Sequence, residues 1–397
     1  MGQVRWAGWT MAIATALVIS GAQARADVAS DRPAAIVVYP KIVVDTVNGV
    51  DTVIRLANTN LNNLIDLHCF YIDANSHCTS DGSICKDATT CGSGQCLPSC
   101  VETDFDIALT QGQPIEWKAS DGLAGSDLPL PYGVCQGNPF IHCGTGNDCA
   151  QANAGATCLP SNSGTRIPPV SEDPFQGELK CIETNADYVP VASNDLKGEA
   201  ILDTSTATGL DVASYNAIGI QATAAAGTVI TDNPLVLGPG SAGDYNGCPN
   251  VLILDNFFDQ AKDPISGDQI TTDLTLVACS EDLSRQVEGS ATVQYLVYNE
   301  FEERYSTSKA VNCFQEIQLC NIDTPQCSRS IFSVGAMGTL TGQTRINPVA
   351  SPAAALPSGL LGVAIESHTP VSGSPLSAAF NLHFVGSRGT ADTITLP

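Results

Sequence analysis

"AAIVVYPKIVVDTVNGVDTVIRLANTN", Ala34 to Asn60, is the stretch whose reading decides the fold class. β-Branched residues dominate it, and these stiff side chains pack well on a pleated surface. Pro40 cannot donate to a ladder, so it belongs at an edge or a bend. Asn48-Gly49, between Val47 and Val50, predicts a two-residue hairpin, because both central positions of that turn favour positive φ. The pattern continues outward. "LIDLHCFYID" (64–73) places Ile65, Leu67, Cys69 and Tyr71 on one face, and "DFDIALTQGQPIEWKASDG" (104–122) reads as a further strand pair. Long amphipathic helical patterns are nearly absent. Many short strands separated by Gly, Pro and Asn turns argue for an all-β sandwich or barrel.

The C-terminal half repeats this outline. "TDLTLVACSED" (272–282) parallels "DTVIRLANTN" (51–60), and "ATVQYLVYNEFEERYS" (291–306) parallels "LIDLHCFYIDANSHC" (64–78). "GQTRINPVA" (342–350), followed by "GLLGVAIESH" and "SAAFNLHFVGSRG", takes the place of "GELKCIETN" (177–185) followed by "LKGEAIL". The expected organisation is a signal segment at 1–26, a first sandwich at 27–202, an Ala/Gly-rich connection at 203–250 and a second sandwich at 251–397. Within the connection, "DVASYNAIGI" reads as a short helix capped by Asp211.

The opening thirty residues combine Arg5, an apolar run from Ile13 to Ile19 and the small-x-small stop Ala24-Arg25-Ala26, which together read as a secretory signal. Removing residues 1–26 takes away Arg5 and Arg25 and no acid, so the formal charge moves from −24 to −26. That sign excludes most nucleic-acid partners, since phosphate binding needs clustered Lys and Arg. No stretch approaches the ~20 apolar residues of a spanning helix, so membrane insertion is not expected.

Sixteen cysteines behind an export signal point to disulfides. Four lie in "CTSDGSICKDATTCGSGQCLP" (78–98), at Cys78, Cys85, Cys91 and Cys96; four more lie in "CQGNPFIHCGTGNDCAQANAGATCLP" (135–160), at Cys135, Cys143, Cys149 and Cys158. Both stretches keep five residues between the second and third cysteines and end in Cys-Leu-Pro, so they form an internal repeat. Zinc sites need short thiolate pairs that converge, and only Cys96 and Cys100 come near that spacing. No C-x-x-C redox pair exists. Disulfide stapling of polar insertions is therefore the reading, and Cys69, Cys100, Cys181, Cys248, Cys279, Cys313, Cys320 and Cys327 complete an even count with open connectivity. The units resemble short cysteine modules of secreted proteins, the Dickkopf-type pattern among them.

Tyr39-Pro40, then "TVIRLANTN", then "LHCFYIDAN", then "FDIAL" resemble the Ig-like sandwich domains of secreted bacterial proteins. The resemblance covers about residues 35–120 and, more faintly, 270–385. It implies two Ig-like β-sandwich units serving display, adhesion or spacing, and brings no catalytic residue with it.

Local chemistry is sparse. His68, His77, His142, His368 and His383 form no H-E-x-x-H or H-x-H motif; alternation in "AAFNLHFVG" puts His383 on the face opposite Phe380, Leu382 and Phe384. Glu300 and Glu302 in "YNEFEERY" would share a strand face ~6.6 Å apart, a range suited to straddling a glycosidic bond. Asp255, Asp259, Asp263 and Asp268 invite a calcium reading, although their spacing is not that of an EF-hand loop. The expectation is a non-enzymatic structural or adhesive protein of the periplasm, cell surface or medium, with an extracellular protein or glycan partner and no cofactor. A polysaccharide hydrolase and a calcium-dependent module are the rivals.

Overall fold

The computed structural model describes residues 28–86, 89–123, 133–143, 146–151, 153, 155, 157–160, 167–206, 209–239, 243–349 and 354–397. The segment 1–26 lies outside them. The fold is all-β, and its organisation is a duplication. In the first half, one sheet runs Ile218–Ile220, Ile36–Val44, Phe175–Thr184, Ile65–Asp73, Val101–Leu109, with Val28–Ala29 added at its edge. Against it packs a sheet of Gly209–Asn216, Leu196–Thr206, Val50–Asn58 and Pro114–Lys118. The second half has the same neighbours in the same order: His383–Ser387, Pro249–Phe257, Gly342–Val349, Ser290–Asn299, Arg304–Asn312 in one sheet, and Leu376–Asn381, Leu360–Thr369, Gln269–Ala278, Phe314–Gln318 in the other. "DTVIRLANTN", "LIDLHCFYID", "GELKCIETN" and "LKGEAIL" occupy strands equivalent to those of "TDLTLVACSED", "ATVQYLVYNE", "GQTRINPVA" and "GLLGVAIESH", whereas "SAAFNLHFVGSRG" spans two strands whose counterparts are Gly209–Asn216 and Ile218–Ile220.

The correspondence extends to irregularities. Tyr39 opposes Leu179 and Ile42 opposes Gly177, so Pro40 lies at a bulge; Leu254 opposes Thr344 and Phe257 opposes Gly342 with the same slip. An extra residue bends the strand without breaking the sheet, which is how a proline sits inside a paired strand. Gly198 faces Leu56 and Gly362 faces Leu276. A Cβ at Gly198 would fall on the Tyr39 hydroxyl, and one at Gly362 would meet the Thr275 carbonyl and Leu276.

Each half has its own core. Tyr39, Leu56, Leu67, Tyr71, Trp117 and Leu202 fill the first; Leu254, Leu276, Tyr295, Val297, Phe332 and Ile346 fill the second. Trp117 Nε1 donates to the Tyr71 hydroxyl at 2.7 Å, so the largest apolar group of the first core keeps its polar atom satisfied. A third core joins the halves: Ile36, Val38, Phe70, Ile72 and Ile182, on the far face of the first sheet, meet Val277, Leu361 and Ile394. A small sheet covers this junction, pairing Leu235–Gly238 with the C-terminal strand Asp392–Thr395, which in turn pairs with Glu281–Asp282. Lys180, buried at the same junction, donates to Glu281 at 2.6 Å, Glu178 at 3.0 Å and the Ala278 carbonyl at 3.2 Å. Lys41 pairs with Glu316 across it.

Three expectations are corrected. The turn at Asn48-Gly49 closes a hairpin at a single rung, where Asp45 and Val50 exchange both backbone hydrogen bonds across four residues instead of two, with Gly49 at φ 70°; beyond that rung Ile36–Val44 and Val50–Asn58 enter different sheets, so the chain turns a corner between layers. "DVASYNAIGI" is strand: Ala213, Tyr215 and Ala217 point inward, the Tyr215 hydroxyl donates to the Lys41 carbonyl, and Asp211 accepts from Ser377 N instead of capping a helix. Its alanines supplied helix propensity, yet the period is two. The connection 203–250 therefore shrinks to about 221–248, because Leu196–Thr206, Gly209–Asn216 and Ile218–Ile220 belong to the first sandwich.

Candidate functional site

The turn that follows Ser290–Asn299 is organised by Asn299. Its side-chain Oδ1 accepts from Phe301 N and Glu303 N at 2.9 Å, and its side-chain Nδ2 donates to Glu303 Oε2 and the Met337 carbonyl, both at 2.9 Å. These bonds close a loop and set Glu302 at φ 63°. Glu300 and Glu302 are therefore turn residues, which corrects the shared strand face: an asparagine able to satisfy several backbone groups ends the strand before them. Both line a polar recess of about 290 Å³ with Asn256, Tyr298, Thr341 and Gln343. Glu300 accepts from Thr341 N at 3.2 Å and Thr341 Oγ1 at 3.3 Å. Asp255 joins the same end of the sandwich through Gln343 Nε2 at 2.5 Å and His383 Nε2 at 3.6 Å. A general acid needs a carboxyl sheltered from water, and both glutamates are exposed.

The other aspartates go elsewhere. Asp259 is buried, accepts from Thr272 N at 3.1 Å and Gln318 Nε2 at 3.2 Å, and is pushed up to about 6 by burial against these donors. Asp263 closes a surface turn by accepting from Ile265 N and Ser266 N at 2.7 Å, and those bonds hold its carboxyl below the ordinary range. Asp255, Asp259, Asp263 and Asp268 do not converge among the described residues.

A larger open trough of about 510 Å³ crosses the outer sheet of the first half, with Arg55, Ala57, Thr59, Glu116, Lys197 and Glu199 among its walls. Register creates its charged row. Glu116 and Glu199 lie directly across from Arg55 on either side, bonding its guanidinium at 2.6 Å and 3.3 Å. These two carboxylates raise the guanidinium further above its ordinary value. Such exposed pairs add little stability. Sequence reading missed this row, because its members lie 61 and 144 residues apart and only strand pairing aligns them.

The cysteine modules are a true repeat. Ser76–Cys78 is flanked by Ile84–Cys85 and Cys96–Pro98, as Gly133–Cys135 is flanked by Asn138–Cys143 and Cys158–Pro160. The first module pairs Cys78 with Cys91 and Cys85 with Cys96; the second pairs Cys135 with Cys149, again first to third. Cys69–Cys181, Cys248–Cys279 and Cys320–Cys327 staple the body, and Cys100–Cys313 ties the halves together. No described cysteine is free; the Cys143 side chain lies outside the described residues. Each histidine with a described side chain faces a carboxylate: His68 with Asp104, His77 with Glu172, His368 with Glu366 and His383 with Asp255. His383 projects outward, opposite the core-facing Phe384, as alternation requires.

No protein-family model matches the chain, and no curated protein is similar to it. Among the described residues, no helix is long and apolar enough to cross a membrane.

Proposed function

We propose that this is a secreted, non-enzymatic structural or adhesive protein that presents rigid surfaces to an extracellular protein or glycan. The supporting observation is the covalent and apolar welding of two like sandwiches, with Cys100–Cys313 joining one half to the foot of a stapled module on the other. Disulfides of this kind contribute ~2 to 4 kcal/mol each by restricting the unfolded chain. Polar loops then keep one shape outside the cell. The trough around Arg55 offers a contact surface of matching character: apolar surface from Ala57 and Pro114, charged walls, and an open course along the sheet. The Ig-like resemblance points the same way.

The test is to incubate the mature protein with a panel of polysaccharides, scoring co-sedimentation and the release of reducing ends together. Co-sedimentation weakened by Arg55→Ala, with no new reducing ends, is the expected result. Release of reducing ends that disappears in Glu300→Gln or Glu302→Gln would replace this reading with a hydrolase.

A further inference from the structure

At the foot of the first cysteine module, three side chains from three separate stretches converge. Asp73 closes the strand Ile65–Asp73, His77 lies in Ser76–Cys78, the first strand of the module, and Glu172 precedes Phe175–Thr184. One donor atom from each lies within 4.8 Å of the other two. His77 Nε2 is 3.0 Å from Glu172 Oε2. Asp73 is buried, whereas the side chains of His77 and Glu172 keep 24% and 23% of their exposure, which leaves a solvent approach.

The duplication supplies a comparison inside the same molecule. Asp73 opposes Gly177 at the end of its strand, and Asn299 opposes Gly342 at the equivalent end. In the second half the neutral amide of Asn299 closes its own loop through four hydrogen bonds. In the first half the same position is a carboxylate that faces a second carboxylate and an imidazole. The surrounding groups orient this set: Asn75 donates to Glu172 Oε1 at 2.5 Å and, through its backbone, to Asp73 Oδ1 at 2.9 Å, and Ser171 donates to Asp73 Oδ2 at 3.3 Å. Metal ligands are held by such outer partners.

We propose that Asp73, His77 and Glu172 bind one divalent transition-metal ion, with Zn²⁺ as its representative, which fixes the first cysteine module to the sandwich. One imidazole and two carboxylates suit a borderline cation. Calcium prefers an all-oxygen set of six to eight ligands, so the imidazole disfavours it. Three protein ligands leave a further position for water.

The experiment uses the full mature chain, stripped with a chelator while its disulfides stay intact, and titrated calorimetrically with Zn²⁺ alone and then with Ca²⁺ alone. The wild type takes up one Zn²⁺ per chain at this site, with a rise in melting temperature. Asp73→Asn, which installs the residue found at the equivalent position, and Glu172→Gln each weaken that uptake by at least ~10-fold and abolish the thermal rise. Melting without metal checks that each variant folds; His77→Gln serves if Asp73→Asn does not. Absence of uptake, uptake unchanged in both variants, or Ca²⁺ binding tighter than Zn²⁺ would each overturn the proposal.

Discussion

Glu183 illustrates how a single buried acid sets the pH response of this fold. It is 2% exposed near the end of Phe175–Thr184, and burial, reinforced by Asp195, pushes its carboxyl up to about 8. Asp66 is pushed up to about 7 by burial and by Asp106. In both cases the folded state holds the proton more tightly than the unfolded chain, whose carboxylates titrate near pH 4. The folded state therefore binds more protons than the unfolded state between about pH 4 and 8, and stability falls as pH rises through that window. The contribution is complete below pH 4 and lost above the folded values. Thermal melts at intervals from pH 5 to 8.5 should show a decline, on the order of 4 kcal/mol from Glu183, since the three pH units between 5 and the folded value of about 8 are worth about 1.4 kcal/mol each. Glu183→Gln should flatten the profile and melt higher than the wild type at pH 8.5. A wild-type profile that rises with pH would show that Glu183 is ionised in the fold.

The first cysteine module is an element added to a hairpin. Asp73 and Val101 are directly paired, so everything between them leaves and re-enters the sheet at one rung. The equivalent hairpin in the second half, Ser290–Asn299 to Arg304–Asn312, closes with a few residues. Replacing 75–99 by a short Gly-Asn-Gly turn, with Cys100 retained, should preserve the sandwich and both long-range bridges, Cys69–Cys181 and Cys100–Cys313. Near-UV circular dichroism and disulfide mapping by peptide mass check this; loss of native signal would mean that the module helps to build the core. Elements of this kind were legible because their signals are local. Alternating Ile65, Leu67, Cys69 and Tyr71 announced a strand, and equal cysteine spacings announced a repeat. What could not be read locally was placement. Asn48-Gly49 specifies a turn but not whether its strands pair or part. Gly209–Asn216 acquired its strand state from pairing with Leu196–Thr206, against alanine propensity. Glu172 meets Asp73 and His77 only because Phe175–Thr184 runs beside Ile65–Asp73.

Over the whole molecule, the duplicated halves are unequal in what their matching faces bury. On the first sheet Ile36, Val38, Phe70, Ile72 and Ile182 are buried under the second half and its C-terminal strand; register places Val251, Ile253, Leu296, Tyr298 and Asn347 at the corresponding positions of the second half, where they keep partial exposure. Lys180 is buried with partners from both halves, while its counterpart Arg345 is exposed. The apolar junction, worth roughly 1.5 to 3 kcal/mol for each large side chain fully buried, makes each half part of the other's stability. Two sandwiches of this size would ordinarily unfold separately. Here calorimetry should give one transition whose calorimetric and van't Hoff enthalpies agree. Glu281→Ala should lower that single transition by roughly 3 to 5 kcal/mol, the cost of stripping a partner from a buried charge, and should not split it. Two resolved transitions in the wild type would mean that Cys100–Cys313 tethers independent domains; a single one that moves as a whole in Glu281→Ala makes Lys180 a joint between halves that fold as one.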